Sequence, residues 1–320
     1  MSHSVGLLAL YAVITTVTLN PAPPFPDWAY PVNPPGGQPA TDDGTLIHVP
    51  DSGVALTRTQ ISTSSGPVAD WHPEDHPPLP TILARATEPQ GYACAYCHLP
   101  SGAGRPENAG LAGLPAAYIK QQVLAFREGS RPGSAPRRGP QGAMISVAKA
   151  VSDADLDVAA AYYAALKPAS FIQVIEIETV PKTTVAGWTL VKAPGGGTEP
   201  IGNRVIEMAV DFERFEHRDA RAPFVAYVPV GSIARGAELV ATGAGDPSLR
   251  CETCHGPGLR GLANVPRLPG RSPSYLMRQL YDIRNGARTG GAAVLMKPIV
   301  ARLSDEDMVA IVAYLASCPP

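Results

Sequence analysis

The sequence predicts a mainly α-helical protein that contains two small helical domains in tandem, joined by a bridge with a few short β-strands. Three observations support this fold class. A set of residues recurs at a constant spacing of 157 positions, apolar residues follow helical spacing in both copies, and cap residues mark the helix ends. The 35 prolines and 31 glycines indicate ordered loops between short elements.

Composition divides the chain into five segments. Residues 1–20 contain an apolar run, and residues 21–80 are rich in proline, which predicts an extended arm around the first domain. The repeats place the two domains at 81–168 and 231–320. Strand-like runs at Phe171–Val180, Trp188–Val191 and Phe224–Val230 predict the strands of the bridge, 169–230.

The N-terminal apolar run extends from Val5 to Leu19, which is shorter than the roughly 20 residues of a membrane-spanning helix. Its length is typical of the core of a signal peptide, and we expect export to the periplasm. However, no Lys or Arg precedes Arg58 and no clear cleavage site follows. An uncleaved membrane anchor, which would give membrane association, and a misassigned start therefore stay open as alternatives.

Two five-residue motifs carry the chemistry of the chain. Cys94 and Cys97 are followed by His98, and Cys251 and Cys254 are followed by His255. The pattern C-x-x-C-H is the attachment signature of c-type haem, in which both sulfurs bond to one porphyrin and the His binds its iron. A redox dithiol or half of a zinc site is the alternative for one such motif. Two copies that use four of the five cysteines favour two covalently bound haem c groups.

The repeat continues well beyond the two motifs. At the offset of 157, a Tyr, a Gln, two Arg and a Gly recur after each motif, namely Tyr118/Tyr275, Gln122/Gln279, Arg127/Arg284, Gly129/Gly286 and Arg131/Arg288. The offset then becomes 152, because the Gly/Pro-rich stretch after Arg131 is longer than its counterpart. Each motif therefore belongs to a complete unit of its own.

The helices of both units follow from apolar spacing and caps. Each unit has a middle helix that ends at a glycine and a terminal helix that begins after a serine cap. The predicted ranges are Tyr118–Glu128 and Tyr275–Asn285 for the middle helices, and Asp153–Leu166 and Asp305–Ser317 for the terminal helices. A further helix is predicted at Ser232–Thr242, with a weaker counterpart near 81–86.

Four residues are candidate axial ligands of haem iron. His98 and His255 follow directly from the motifs. Met144 and Met296 occupy equivalent positions in the repeats, each eight residues before a helix cap, and we expect both in loops that fold back across the haem. Thioether ligation raises the reduction potential of haem iron. Core packing is the alternative for any methionine.

Together, the two motifs, the Tyr-to-Arg helices and the methionine segments resemble tandem class I cytochromes c, the diheme electron carriers of bacterial periplasms. The resemblance covers roughly residues 81–168 and 231–320. It implies one high-potential haem in each domain, with electron exchange between them. Partners would be redox proteins, such as a dehydrogenase, an oxidase or another cytochrome. Arg131 and Arg288 are candidates for contact with the haem propionates, whose burial needs charge compensation.

The first function hypothesis is an electron-transfer protein without catalytic residues. A diheme cytochrome c peroxidase is the alternative, but no His occurs between His98 and His217 to serve as its displaceable ligand. A thiosulfate-oxidising diheme enzyme and a cytochrome subunit fixed to a dehydrogenase or oxidase are further hypotheses. The formal net charge of -2 gives no reason to expect nucleic acid as a partner.

A few polar residues outside the repeats allow two interpretations. His72 and His76, with the acids between them, fit either a polar turn or a metal site. His217 is expected on a solvated charged face. Apart from Arg131 and Arg288, the basic residues near the methionine segments fit either a docking surface for an acidic partner or a solvated face: Arg127, Arg137, Arg138, Arg284, Lys297 and Arg302. Cys318 has no cysteine left to pair with and is expected at a helix end.

Overall fold

The computed structural model describes residues 25–36, 41–86, 91–135 and 138–320. The apolar run from Val5 to Leu19 lies outside these ranges, so the predicted signal peptide or anchor falls on residues that are not described. In the described part of the chain, no helix is both long and apolar enough to cross a bilayer.

The first haem-motif unit is helical and has its own core. Its helices are α2 (Thr81–Ala84), α3 (Cys94–His98), α4 (Ala116–Arg127), α5 (Gly139–Ala150) and α6 (Asp153–Ala165), preceded in the arm by α1 (Arg58–Ser62). Helix α4 packs against α5 and α6 around buried residues that include Leu83, Leu114 and Tyr163. The hydroxyl of Ser152 accepts a 3.1 Å hydrogen bond from the amide of Asp155, which confirms the predicted cap.

The second unit repeats this arrangement. Its helices are α8 (Ser232–Thr242), α9 (Glu252–His255), α10 (Pro273–Arg284), α11 (Ala293–Val300) and α12 (Asp305–Ser317). Helices α8 and α12 cross closely at Gly236, where an added Cβ would collide with the carbonyl oxygen of Ala310. The predicted helices at Ser232–Thr242 and Asp305–Ser317 are confirmed with their stated bounds.

The two methionine segments differ from their prediction. Met144 lies inside α5 and Met296 inside α11, so the expectation of loops is wrong at both positions. Pro140 does not prevent the first helix, because it lies in the first turn, where its missing N–H would have had no intrahelical acceptor. Pro298 lies inside α11, which ends two residues later.

The bridge is the β-rich part of the molecule. Its elements are β1 (Ile172–Glu176), β2 (Thr179–Pro181), β3 (Thr183–Ala186), β4 (Thr189–Lys192), β5 (Thr198–Pro200), β6 (Ile206–Ala209), α7 (Phe212–Glu216) and β7 (Phe224–Val228). Strand β7 is central, parallel to β1 and antiparallel to β6, while β2 pairs with β5 and β3 with β4. A small core around Val180, Ile206 and Met208 lies beneath these strands. The prediction of short strands in the bridge is confirmed.

The N-terminal arm contacts both units rather than the first alone. Ala29 and Tyr30 are buried in the core of the second unit, and the Tyr30 hydroxyl donates a 2.8 Å hydrogen bond to Asp282 on α10. Later in the arm, the amide of Val68 donates to the carbonyl of Ala84 at 3.1 Å and ties it to the first unit. The expectation that the arm wraps the first unit holds only for this later part.

Candidate haem sites

The two motif histidines have the same hydrogen bond at equivalent positions of the repeat. Nδ1 of His98 lies 2.8 Å from the carbonyl oxygen of Ala109, and Nδ1 of His255 lies 2.8 Å from that of Pro266. A carbonyl only accepts, so Nδ1 carries the proton in both rings and Nε2 keeps a free lone pair. Such a second partner fixes the ring orientation of iron-ligating histidines.

Burial keeps both imidazoles neutral, as an iron ligand must be. It lowers the pKa of His98 and of His255, against the opposing effect of the carbonyl hydrogen bond on each ring. Both histidines therefore present an uncharged Nε2.

The first cysteine of each motif does not have the lowered pKa of a redox-active thiol. Burial raises the pKa of Cys94 to about 12 and that of Cys251 to about 11. Thiol–disulfide chemistry proceeds through a thiolate, which a lowered pKa favours. The alternative of a redox disulfide at these motifs is therefore disfavoured, whereas thioether attachment suits sulfurs in apolar surroundings.

A cavity in the first unit brings the predicted haem residues together. Cys94, Cys97, His98 and Met144 all line it. It encloses about 1040 Å³, including the part open to solvent, and its other walls are largely apolar, with Leu111, Leu114, Ile119, Val123 and Phe126. This cavity fits a flat apolar group held by His98 on one side, with Met144 within the same walls.

In the second unit, Met296 packs on α10 and α11. It contacts a small cluster formed by Ile283, Ala293 and Val300, with Leu280 at its margin. Leu280 also packs against the core that includes Cys251. Met296 and Cys251 thus pack against two separate clusters that have Leu280 in common.

Arg131 and Arg288 lie buried where the two units meet. Arg131 donates to Gln279 at 2.8 Å and to Gln122 at 3.1 Å, and Arg288 donates to Gln122 at 2.9 Å and to Gln279 at 3.1 Å. Burial alone would raise the pKa of Tyr275, but Arg131, Arg271 and Arg288 lower it to about 8. The guanidinium groups of Arg131 and Arg288 therefore share two neutral partners, Gln122 and Gln279.

Arg138 is a site residue whose role the sequence did not reveal. It is buried and lines the same cavity as Met144, where its Nε and Nη2 have no hydrogen-bond partner. Its one side-chain hydrogen bond in the described structure runs from Nη1 to the carbonyl of Glu107, at 3.1 Å. Arg138 lies in the Gly/Pro-rich stretch that the second repeat lacks, so no repeat signal marks it.

These arginines test whether haem fits the residues present. Among the described residues, none of Arg131, Arg138 and Arg288 forms an ion pair with a carboxylate. A buried cation without an opposite charge beside it is costly, and two propionates on each haem would supply that charge. The residues fit the group, and the docking-surface interpretation fails for Arg138, which is buried.

The polar residues outside the repeats have structural partners. His72 lies 3.0 Å from Asp219 and His76 lies 3.1 Å from Asp70. In the described ranges, no three His, Cys, Asp or Glu side chains are grouped to hold a metal ion, which favours the polar turn. His217 is 6% exposed, so the prediction that it lies on a solvated face is wrong. The buried Trp71 donates a 2.6 Å hydrogen bond from its indole nitrogen to the His217 carbonyl.

Comparisons with known proteins agree with this geometry. A family model described as cytochrome c oxidase, cbb3-type, subunit III matches residues 232–315. Cytochrome c-554(548) of Halomonas halodenitrificans is 46% identical over 68 residues, which are 21% of this chain and 82% of that protein. The chain belongs to the diheme class I cytochromes c.

Two further proteins resemble this diheme cytochrome c over both of its units. The thiosulfate dehydrogenase electron acceptor of Thiomonas intermedia is 27% identical over 238 residues, covering 73% of this chain and 82% of that protein. The solved structure of thiosulfate dehydrogenase (TsdBA) from Marichromatium purpuratum has a TM-score of 0.50 and 26% identity. The match covers 75% of this chain but only 39% of that structure.

The predicted cofactors and general function are thereby confirmed. This diheme cytochrome c holds two covalently bound haem c groups and transfers electrons through them. Its relatives are electron-transfer cytochromes and cytochrome subunits of dehydrogenases, so the peroxidase hypothesis is not favoured. Haem supplies one-electron chemistry between Fe(II) and Fe(III), while the protein sets access and potential.

Proposed function

We propose that this cytochrome is an exported electron carrier in which both irons have His/Met ligation. The ligand pairs are His98 with Met144 and His255 with Met296. The observation that carries this proposal is the cavity in which Met144, His98 and both cysteines of the first motif share the walls. A thioether ligand stabilises Fe(II) and gives a high potential. With both axial positions taken, neither iron has an open position for peroxide.

Charge compensation supports the same arrangement. Arg131 and Arg288 are proposed to bind haem propionates, and Arg138 is added to them because two of its buried nitrogens lack a partner. We also propose the domain limits 81–168 and 231–320, with residues 1–20 directing export. The latter agrees with covalent haem attachment, which takes place outside the cytoplasmic membrane in bacteria.

A dehydrogenase is the proposed electron donor, with an oxidase or another cytochrome as acceptor. The support is the relative from Thiomonas intermedia, which is named as an electron acceptor of thiosulfate dehydrogenase. The chain would then not oxidise a substrate itself but would accept electrons one at a time from the enzyme that does.

The test follows haem reduction in the oxidised holoprotein. We expect both haems to be reduced when a thiosulfate dehydrogenase and thiosulfate are both present, and neither haem when one of them is omitted. Hydrogen peroxide should be consumed no faster than in buffer. A redox titration that gives one high and one strongly negative potential, with sustained peroxide turnover, would contradict the carrier proposal.

A further inference from the structure

The two haem motifs differ in how far the rest of the chain covers them. In the first motif, Ala95 is buried and Tyr96 and Cys97 are half-buried. In the second motif, Thr253 and Cys254 are exposed. Part of the cover over the first motif comes from the arm, where the Ser62 carbonyl accepts a 3.2 Å hydrogen bond from the Tyr96 hydroxyl, and from Arg218 of the bridge.

One residue of the bridge makes direct contact with the first motif. The guanidinium carbon of Arg218 lies 3.5 Å from the centroid of the Tyr96 ring, and its Nη1 donates a 2.7 Å hydrogen bond to the Tyr96 carbonyl. Tyr96 stands directly before Cys97, a haem-attaching residue. Arg218 therefore holds a positive charge against the helix that carries the thioethers.

The charge of Arg218 is not neutralised locally. Nearby Arg105 pairs with Glu107 at 3.0 Å, so these two charges cancel. In the described part of the chain, Arg218 forms no ion pair, and its neighbour Asp219 is paired with His72 and Arg214. Burial is the main cause that lowers the pKa of Arg218, while the charges of Arg105 and Glu107 act on it in opposite directions.

Among the described residues, no arginine stacks on the helix of the second motif in this way; the cation that acts on His255 is Arg271. Tyr96 corresponds to Thr253, which is exposed, and Arg105 corresponds to Leu262, which is 53% exposed. We therefore expect the charge of Arg218 to act mainly on the first haem, so that the second haem serves as an internal reference in the same molecule.

We propose that the positive charge of Arg218 raises the reduction potential of the haem on Cys94 and Cys97. Reduction adds one electron to Fe(III), so a nearby fixed positive charge favours the Fe(II) product over the more positive Fe(III) state. The electron comes from the external donor, and no bond is made or broken. The inference rests on the proposed function, because it requires the haem on Cys94 and Cys97 to accept and release an electron reversibly.

The experiment is a redox titration of the holoprotein followed by NMR. Haem methyl signals are assigned to each unit by their nuclear Overhauser effects with side chains of that unit, which gives a potential for each haem. In Arg218→Gln, we expect the equilibrium constant for reduction of the first haem to fall about three- to tenfold, where tenfold equals 59 mV for one electron. The second haem should stay within twofold of the wild type.

Two variants separate charge from packing. Arg218→Lys keeps the charge and should hold the first potential within about twofold of the wild type. Arg235→Gln removes an exposed charge that is paired with Asp307 in the second unit, and it should leave the first haem unchanged. The proposal is overturned if Arg218→Gln moves neither potential or moves both equally. It is also overturned if Arg218→Lys lowers the first potential as much as Arg218→Gln does.

Haem content distinguishes this inference from the proposed function. If all variants keep two haems and their methionine-to-iron absorption band but the first potential does not move, only the role of Arg218 is wrong. If the wild type itself lacks that band, the proposed ligation is wrong, while a shift caused by Arg218 is still measurable.

Discussion

Nη2 of Arg288 donates a 3.0 Å hydrogen bond to the hydroxyl of Tyr118 in the other unit. Arg131 makes the reciprocal bond to the hydroxyl of Tyr275, at 3.4 Å. Because these residues are related by the same offset of 157 positions, each unit presents the same Tyr and Arg to its neighbour. The contact between the units is thus self-complementary, as in a two-fold dimer, although one chain forms it.

Replacing Arg288 by Gln should weaken this contact. The variant loses the charged bonds from Arg288 to Tyr118, Gln122 and Gln279, some of which the neutral Gln side chain can replace, and one hydrogen bond of a charged group contributes about 1.5–3 kcal/mol. We expect the free energy of unfolding of the holoprotein to fall by about 2–4 kcal/mol in guanidinium denaturation. Arg302→Gln, which breaks an exposed pair with Asp246, should cost less than about 1 kcal/mol. Equal losses in both variants would contradict a special role for Arg288.

Met144→Ala tests the proposed ligation, since it should remove one of the two proposed methionine–iron bonds. The far-red charge-transfer band of the oxidised protein should then drop to about half, because one of the two His/Met sites remains. Absorption spectra normalised to haem content measure this. Met277→Leu is the matched control, since Met277 is buried in the core of the second unit, and its band should be unchanged. An undiminished band in Met144→Ala would show that Met144 is not a ligand.

Gly236→Ala should destabilise the second unit. The new Cβ would meet the Ala310 carbonyl, so α8 and α12 must separate, and overpacking of this kind costs about 1–3 kcal/mol. Thermal unfolding monitored by circular dichroism provides the measurement. Gly142→Ala is the control within α5, where the added Cβ meets nothing within 4 Å and should stabilise by up to about 1 kcal/mol. The two substitutions should therefore have opposite signs.

His76 should make part of the stability depend on pH. Its hydrogen bond with Asp70 is the main cause that raises the pKa of His76 above 6.5, against the effect of burial. A raised folded pKa means that the stabilisation is complete below about pH 6.5 and is lost as the pH rises through the folded value. The difference in unfolding free energy between wild type and His76→Gln, measured from about pH 6 to pH 9, should shrink with rising pH. In an Asp70→Asn background, the effect of His76→Gln on the unfolding free energy should no longer depend on pH. If the difference between wild type and His76→Gln grows with pH instead, the His76–Asp70 pair is not the cause.

Much of the helical framework could be predicted because its determinants are local. The serine caps at Ser152 and Ser304 and the glycines at Gly129 and Gly286 act on neighbouring residues, so the ends of α4, α6, α10 and α12 follow from the chain itself. The proximal role of His98 and His255 follows equally from the five-residue motifs.

The remaining features depend on contacts between distant segments. Nothing near Arg131 in the sequence indicates Gln279 as its partner, and Arg138 acquires its place only when the stretch around it folds onto the cavity. Met144 follows Gly139, Pro140 and Gly142, which are weak helix formers, so the local sequence alone does not predict a helix there. Packing against α4 overrides the weak helix propensity of these residues.

The contact between Tyr30 and Asp282 joins residues 252 positions apart. The segment around Tyr30 is synthesised early, whereas α10 emerges near the end of the chain. The segment around Tyr30 therefore cannot form this buried contact until almost the whole polypeptide has been made. Closing so long a loop costs entropy and slows folding, so the first residues of the arm should be among the last to reach their final place.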